Sequence, residues 1–118
     1  MHTLTEHPID PGTQQTAFAF LDRAAKAFPV KGAILSGSRA KGEFRPHSDA
    51  DIAVVLPGPR GQFMAAKLTM ADMAFDVLLE TGIRVQPRPV WEEEWAHPES
   101  YSNPAPLRNI ASDGVRLW

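Results

Sequence analysis

Gly32-Ala33-Ile34-Leu35-Ser36-Gly37-Ser38-Arg39-Ala40-Lys41-Gly42, followed by Ser48-Asp49-Ala50-Asp51-Ile52-Ala53-Val54-Val55-Leu56, is the stretch on which the fold turns. Its two apolar runs, 32–36 and 49–56, are short and rich in Ile, Val, Leu and Ala, as buried strands are. The polar segment 39–48 between them is punctuated by Gly42 and Pro46, which predicts a short helical turn and then a loop. Side chains on a strand alternate, so Asp49 and Asp51 project to one side while Ala50, Ile52, Val54 and Leu56 point into a core. Two carboxylates so placed repel each other unless a cation lies between them. Such hard oxygen donors suit Mg²⁺ (or Mn²⁺), commonly held by one or two carboxylates together with substrate phosphates. Gly37-Ser38 ends the first strand with backbone freedom and a hydroxyl, a combination that lets a phosphate approach closely and be hydrogen-bonded. Arg39 and Lys41 follow at once and are candidates to offset anionic charge, against the competing reading of plain surface residues. A phosphate cradle and a metal-binding pair at the ends of neighbouring strands are the parts of metal-assisted phosphoryl or nucleotidyl transfer.

On the N-terminal side, residues 1–12 read as a loose lead-in closed by Pro11-Gly12. A helix is predicted over Thr13–Phe28, with Thr13 as N-cap, an apolar face of Ala17, Leu21, Ala24, Ala25 and Phe28, and Pro29 as its stop. On the C-terminal side, Pro57-Gly58-Pro59 ends the second strand, and Met64, Leu68, Ala71, Phe75, Leu78 and Leu79 predict a long amphipathic helix over Gln62–Thr81. Gly82 closes it. Ile83–Val90 alternates as a half-buried strand, and Pro87 and Pro89 put it at a sheet edge. Beyond it come Glu92, Glu93 and Glu94, read as a solvated charge run, then a short helix over Ala105–Ser112 and Gly114.

A chain of 118 residues fits one domain, with a core over about 13–90 and a C-terminal extension over 91–118. Apolar residues at 43% and charged residues at 22% argue against disorder. With no cysteine there are no disulfides, thiolate metal sites or cysteine nucleophiles, which suits a reducing cytoplasm. No secretory signal or apolar run of membrane-spanning length is expected. A net charge of −2 with mixed signs argues against a duplex nucleic-acid footprint but leaves room for local phosphate binding.

On Gly37-Ser38-Arg39-Ala40-Lys41-Gly42 and Ser48-Asp49-Ala50-Asp51-Ile52-Ala53-Val54-Val55, the chain resembles the polymerase-beta-like nucleotidyltransferases, specifically the minimal group. The resemblance covers Ile34–Leu56 closely and the element order through about Val90 more loosely. It implies an α/β (α+β) domain with a small mixed sheet flanked by helices. It also implies an NTP substrate bound by Gly37, Ser38 and Arg39, and a catalytic divalent metal held by Asp49 and Asp51. The activity implied is transfer of a nucleoside monophosphate, AMP from Mg-ATP, to a hydroxyl of a protein or small-molecule acceptor. The family pattern usually adds a third carboxylate on the strand after the long helix, but here that strand reads Ile83-Arg84-Val85-Gln86-Pro87. Either Asp76, Glu80 or one of Glu92–Glu94 reaches the site from another element, or the base is missing and activity is weak or absent. Small stand-alone members often pair with a helical HEPN-type protein as antitoxin to toxin. Only residues 91–118 follow the third strand, so an acceptor site would come from another chain, either a second copy or a separate partner.

Overall fold

A computed structural model describes the whole chain, Met1–Trp118. Strand β1 (His2–Thr3) leads into helix α1 (Pro11–Ala27), strand β2 (Gly32–Ser36), the short helix α2 (Ser38–Lys41) and strand β3 (Ala50–Leu56). Helix α3 (Phe63–Thr81), strand β4 (Val85–Trp91), helix α4 (Glu92–Ala96), a 3₁₀ turn (Pro98–Ser100), helix α5 (Ala105–Asp113) and strand β5 (Val115–Arg116) complete it. The strands form one mixed five-stranded sheet in the order β1-β5-β2-β3-β4. β2 runs antiparallel to β3 and to β5, whereas β3 with β4, and β1 with β5, are parallel.

β2 has its predicted bounds, β3 starts one residue later than predicted, and β4 is displaced from 83–90 to Val85–Trp91; the edge position of β4 holds. Pro87 and Pro89 lie at alternate positions, so the N–H groups that serve the β3 ladder come from the even-numbered residues. Both prolines turn their donor-less nitrogens to the free edge, which blunts pairing with another chain. At both chain ends the structure corrects the sequence reading. The lead-in is pinned, with β1 in the sheet and Ile9 buried. The C-terminal residues are part of the core, since β5 sits between β1 and β2 and Leu107 and Val115 are buried. Strands of two residues give no periodicity to read.

Helix α1 begins at Pro11, and its cap is Asp10: the carboxylate accepts from the Thr13 N–H (3.0 Å) and from Thr13 Oγ1 (3.1 Å). Thr13, expected as the cap, lies inside the first turn and is buried. Pro11, expected to close the lead-in, instead opens the helix, where its missing N–H costs nothing. Phe20 joins the buried face and Ala25 leaves it.

Helix α3 differs most. Its buried residues are Ala66, Met70, Ala74 and Val77, whereas four residues of the expected core stripe are exposed: Met64 by 61%, Leu68 by 61%, Phe75 by 58% and Leu79 by 71%. The helix is apolar on nearly every side, so spacing alone could not choose its inward face. The small residues Ala66 and Ala74 let it lie close on the sheet. No helix is long and apolar enough to cross a membrane.

α1 and α3 cover one face of the sheet, burying Phe20, Leu21, Leu35, Ile52, Val54, Met70 and Val77 in the main core. The other face carries a small cluster of Ile34, Ala53, Val55, Val90 and Leu107, with Trp95 and Ile110 against it. That second face holds the acidic residues.

Candidate functional site

Strand pairing arranges the second face in rows. Ser36 of β2 lies beside Asp51 of β3, which lies beside Gln86 of β4. The next row is Ile34, Ala53 and Arg88. Asp51 is half-buried at the centre of the first row, and Asp49 sits just before the strand. The Asp51 carboxyl is raised above the ordinary aspartate range, first because burial penalises its charge and second because Asp49 repels it. An acid pair loaded in this way gains from a cation.

Gly37 explains itself at this point. Its backbone lies at φ +75° and ψ −159°, a region open to glycine, and an added Cβ would strike Asp51 Oδ2. The Gly37-Ser38 turn therefore packs directly on the acidic side chain. Ser38 opens α2, where the first N–H groups have no partner within the helix. The sequence-predicted residues Gly37, Ser38, Asp49 and Asp51 are thus brought together.

Arg39 is not with them. It is 2% exposed, and its guanidinium donates to Ser48 O (2.8 Å), Thr13 Oγ1 (2.8 Å), Pro46 O (3.1 Å) and Arg45 O (3.4 Å) while lying 4.5 Å from the Phe44 ring centroid. Each of its three nitrogens bonds within the fold, so Arg39 fastens the 43–48 loop and α1 to α2, and its burial keeps it from a phosphate. Lys41 is exposed, 4.0 Å from Asp113.

The third-carboxylate question also resolves geometrically. Gln86 occupies the position beside Asp51. Glu80 is ion-paired with Arg23 of α1, Asp76 is exposed on α3, and Glu92 and Glu93 are exposed on α4. Glu94 is buried rather than part of a solvated run: its Oε1 accepts from the Trp91 N–H (3.1 Å), closing the turn from β4 into α4. Nowhere do three or more His, Cys, Asp or Glu side chains converge. The donor set still fits a hard divalent ion in which two carboxylates are completed by substrate phosphates and water.

A cavity of about 240 Å³ opens beside Asp51 and is lined by Ser36, Gln86, Arg88, Lys67 and Ile110 among others. Larger cavities, of about 350 and 400 Å³, lie elsewhere and touch neither Asp49 nor Asp51. Chemistry, not size, selects the site. Sequence reading missed Ser36 as a neighbour of Asp51, although alternation along paired strands places it there once the sheet order is known; Arg88, read from the sequence as favouring anion binding, lies one row further along β4. Lys67 reaches in from α3 and left no local signal.

The model of the nucleotidyltransferase domain family matches residues 19–108. No functionally curated protein matches the sequence. Among solved structures, a nucleotidyltransferase so named from Sulfolobus solfataricus is similar at 21% identity and a TM-score of 0.57, over 90% of this chain and 79% of that one, a likeness of fold.

Proposed function

The chain belongs to the nucleotidyltransferase domain family, and from that premise we propose that it transfers AMP from Mg-ATP to an acceptor hydroxyl of a protein or small molecule. The observation that carries this reading is the contact of Gly37 with Asp51, which joins a phosphate-binding turn to an acid pair in one site. Gly37 and Ser38 hold the phosphate tail through backbone N–H groups and the serine hydroxyl. Asp49 and Asp51 hold the divalent ion, which when bound neutralises phosphate charge. In the transfer, the acceptor oxygen forms a bond to the α-phosphorus and the bridging bond to the β-phosphate breaks. Pyrophosphate departs with that electron pair, and the hydroxyl proton passes to water. Gln86, beside Asp51, can orient the hydroxyl through its amide oxygen but cannot take its proton. Turnover is accordingly slow. ATP and Mg²⁺ of the cytoplasm are the expected supply.

Transfer of labelled AMP tests this, using the protein itself and candidate acceptors. Asp51→Asn abolishes metal-dependent transfer and leaves the fold intact; transfer at the parental rate refutes the roles assigned.

A second reading is favoured by two observations, Gln86 in place of an acid and the exposed stripe of Met64, Leu68, Phe75 and Leu79 on α3. In it the domain is an antitoxin-like module, catalytically weakened, that covers a helical HEPN-type partner. Neutralisation that survives Asp49→Asn with Asp51→Asn but fails with Leu68→Glu selects this reading.

A further inference from the structure

Three cations gather round one aromatic ring on the far side of Asp51 from the Gly37-Ser38 turn. The Arg60, Lys67 and Arg88 charges lie 5.2, 5.8 and 6.0 Å from the centroid of Phe63. A second cavity of about 360 Å³ shares Lys67 and Arg88 with the Asp51 cavity and has Arg60, Phe63, Glu94, Tyr101 and Asn103 in its walls. Only Arg60 of the three has an acid within ion-pair distance, Glu94 at 3.9 Å. Arg88 Nε is buried without a hydrogen-bond partner. A buried donor left unpaired and like charges drawn to one ring are both unfavourable unless an anion completes the arrangement.

We propose that these two cavities, which share Arg88 and Lys67, form the acceptor subsite and that the acceptor is a small molecule bearing a phosphate group, held by Arg88 and Lys67 with its hydroxyl directed to Asp51 and Gln86. The inference rests on the transfer reading above and names the substrate class that reading leaves open. Position separates the two phosphates of the complex. The donor's tail lies at Gly37 and Ser38, the acid pair is in the middle, and Arg88 is one row along β4 from Gln86, roughly 6.6 Å for two residues of strand. Guanidinium and ammonium donors are the side chains that recognise phosphate, by fork and by point charge. A cationic acceptor is disfavoured by the same groups.

Glycerol 3-phosphate is the probe, with glycerol as its phosphate-free control, titrated into the ¹⁵N-labelled full chain and followed by amide and arginine Nε–H shifts. The account expects glycerol 3-phosphate to bind at least tenfold more tightly than glycerol, shifting the Arg88 Nε–H. Arg88→Gln and Lys67→Ala each weaken it about tenfold, with native amide spectra and with Mg·ATP affinity changed less than twofold. Saturation with Mg²⁺ and the non-hydrolysable α,β-methylene-ATP leaves the probe bound. Absence of selective binding, or binding indifferent to both substitutions, overturns the proposal. Competitive displacement by the ATP analogue also overturns it, since the cleft would then hold the donor's own phosphates. A parent protein that binds the probe but not Mg·ATP refutes the nucleotide reading, and the acceptor role with it.

Discussion

The two faces of the sheet are built to different ends. Under α1 and α3, twenty buried residues form one continuous core, including Phe20, Leu35, Ile52 and Met70. On the opposite face only five residues are buried together, and the covering helices α4 and α5 leave the Asp51 corner open. One face supplies stability. The other carries charge in a half-buried place, at a cost to stability that only a ligand offsets. A rigid platform beneath an open site is what precise positioning of reacting groups requires.

The comparison can be broken most forcefully from the packed side. Phe20→Ala removes a fully buried ring and is expected to cost about 3–5 kcal/mol, read by urea denaturation. Mg·ATP affinity per folded molecule stays unchanged in it. Arg39→Lys cannot reproduce the fork to Ser48, Pro46 and Thr13 and leaves part-buried carbonyls and the buried Thr13 hydroxyl short of donors, for a loss on the order of 2 kcal/mol. Gly37→Ala pits a left-handed backbone and a clash with Asp51 against the methyl group, costing about 1–3 kcal/mol. Nucleotide binding is lost in that variant at temperatures where it remains folded.

On the open side the sign reverses. Asp51→Asn relieves a buried carboxylate and its repulsion from Asp49, and the metal-free protein is expected to be slightly more stable for it. Solvent reaches the group, so the gain is small, read as a slight rise in Tm. Because the Asp51 carboxyl is raised in the folded state, the folded parent holds that proton more tightly than the unfolded chain. The parental deficit is therefore absent below the ordinary aspartate range, and develops as pH rises through the window up to the raised value. Thermal scans of both proteins across that window check it; a constant difference contradicts the cause assigned. The smallest effect is expected at Leu79→Gln, on the exposed stripe of α3, which changes the stability of the monomer by less than about 0.5 kcal/mol.

How much was legible in the sequence follows the same division. Strands β2 and β3 and the Gly37–Asp51 relation could be read because each residue there answers to two constraints, a period of two and a chemical role. The outward position of β4 was legible through Pro87 and Pro89, whose missing donors admit few alternatives. The inward face of α3 was not. A helix apolar on most sides offers several stripes of equal spacing, and only the sheet beneath it selects Met70 and Val77 over Leu68 and Phe75. Arg39 misled for a related reason: a cation next to a Gly-Ser turn looks like a phosphate ligand until its partners in the 43–48 loop are seen. Ser36 depends on strand order, which no local signal encodes. Lys67 reaches the site from a distant helix.

Calorimetric titration of ATP into the purified protein, with and without Mg²⁺ and alongside Asp49→Asn, tests the central claim most directly. The account predicts saturable binding that requires Mg²⁺ and is lost in the variant. Binding that is indifferent to the metal and to Asp49, or no binding by the parent in either condition, would contradict it.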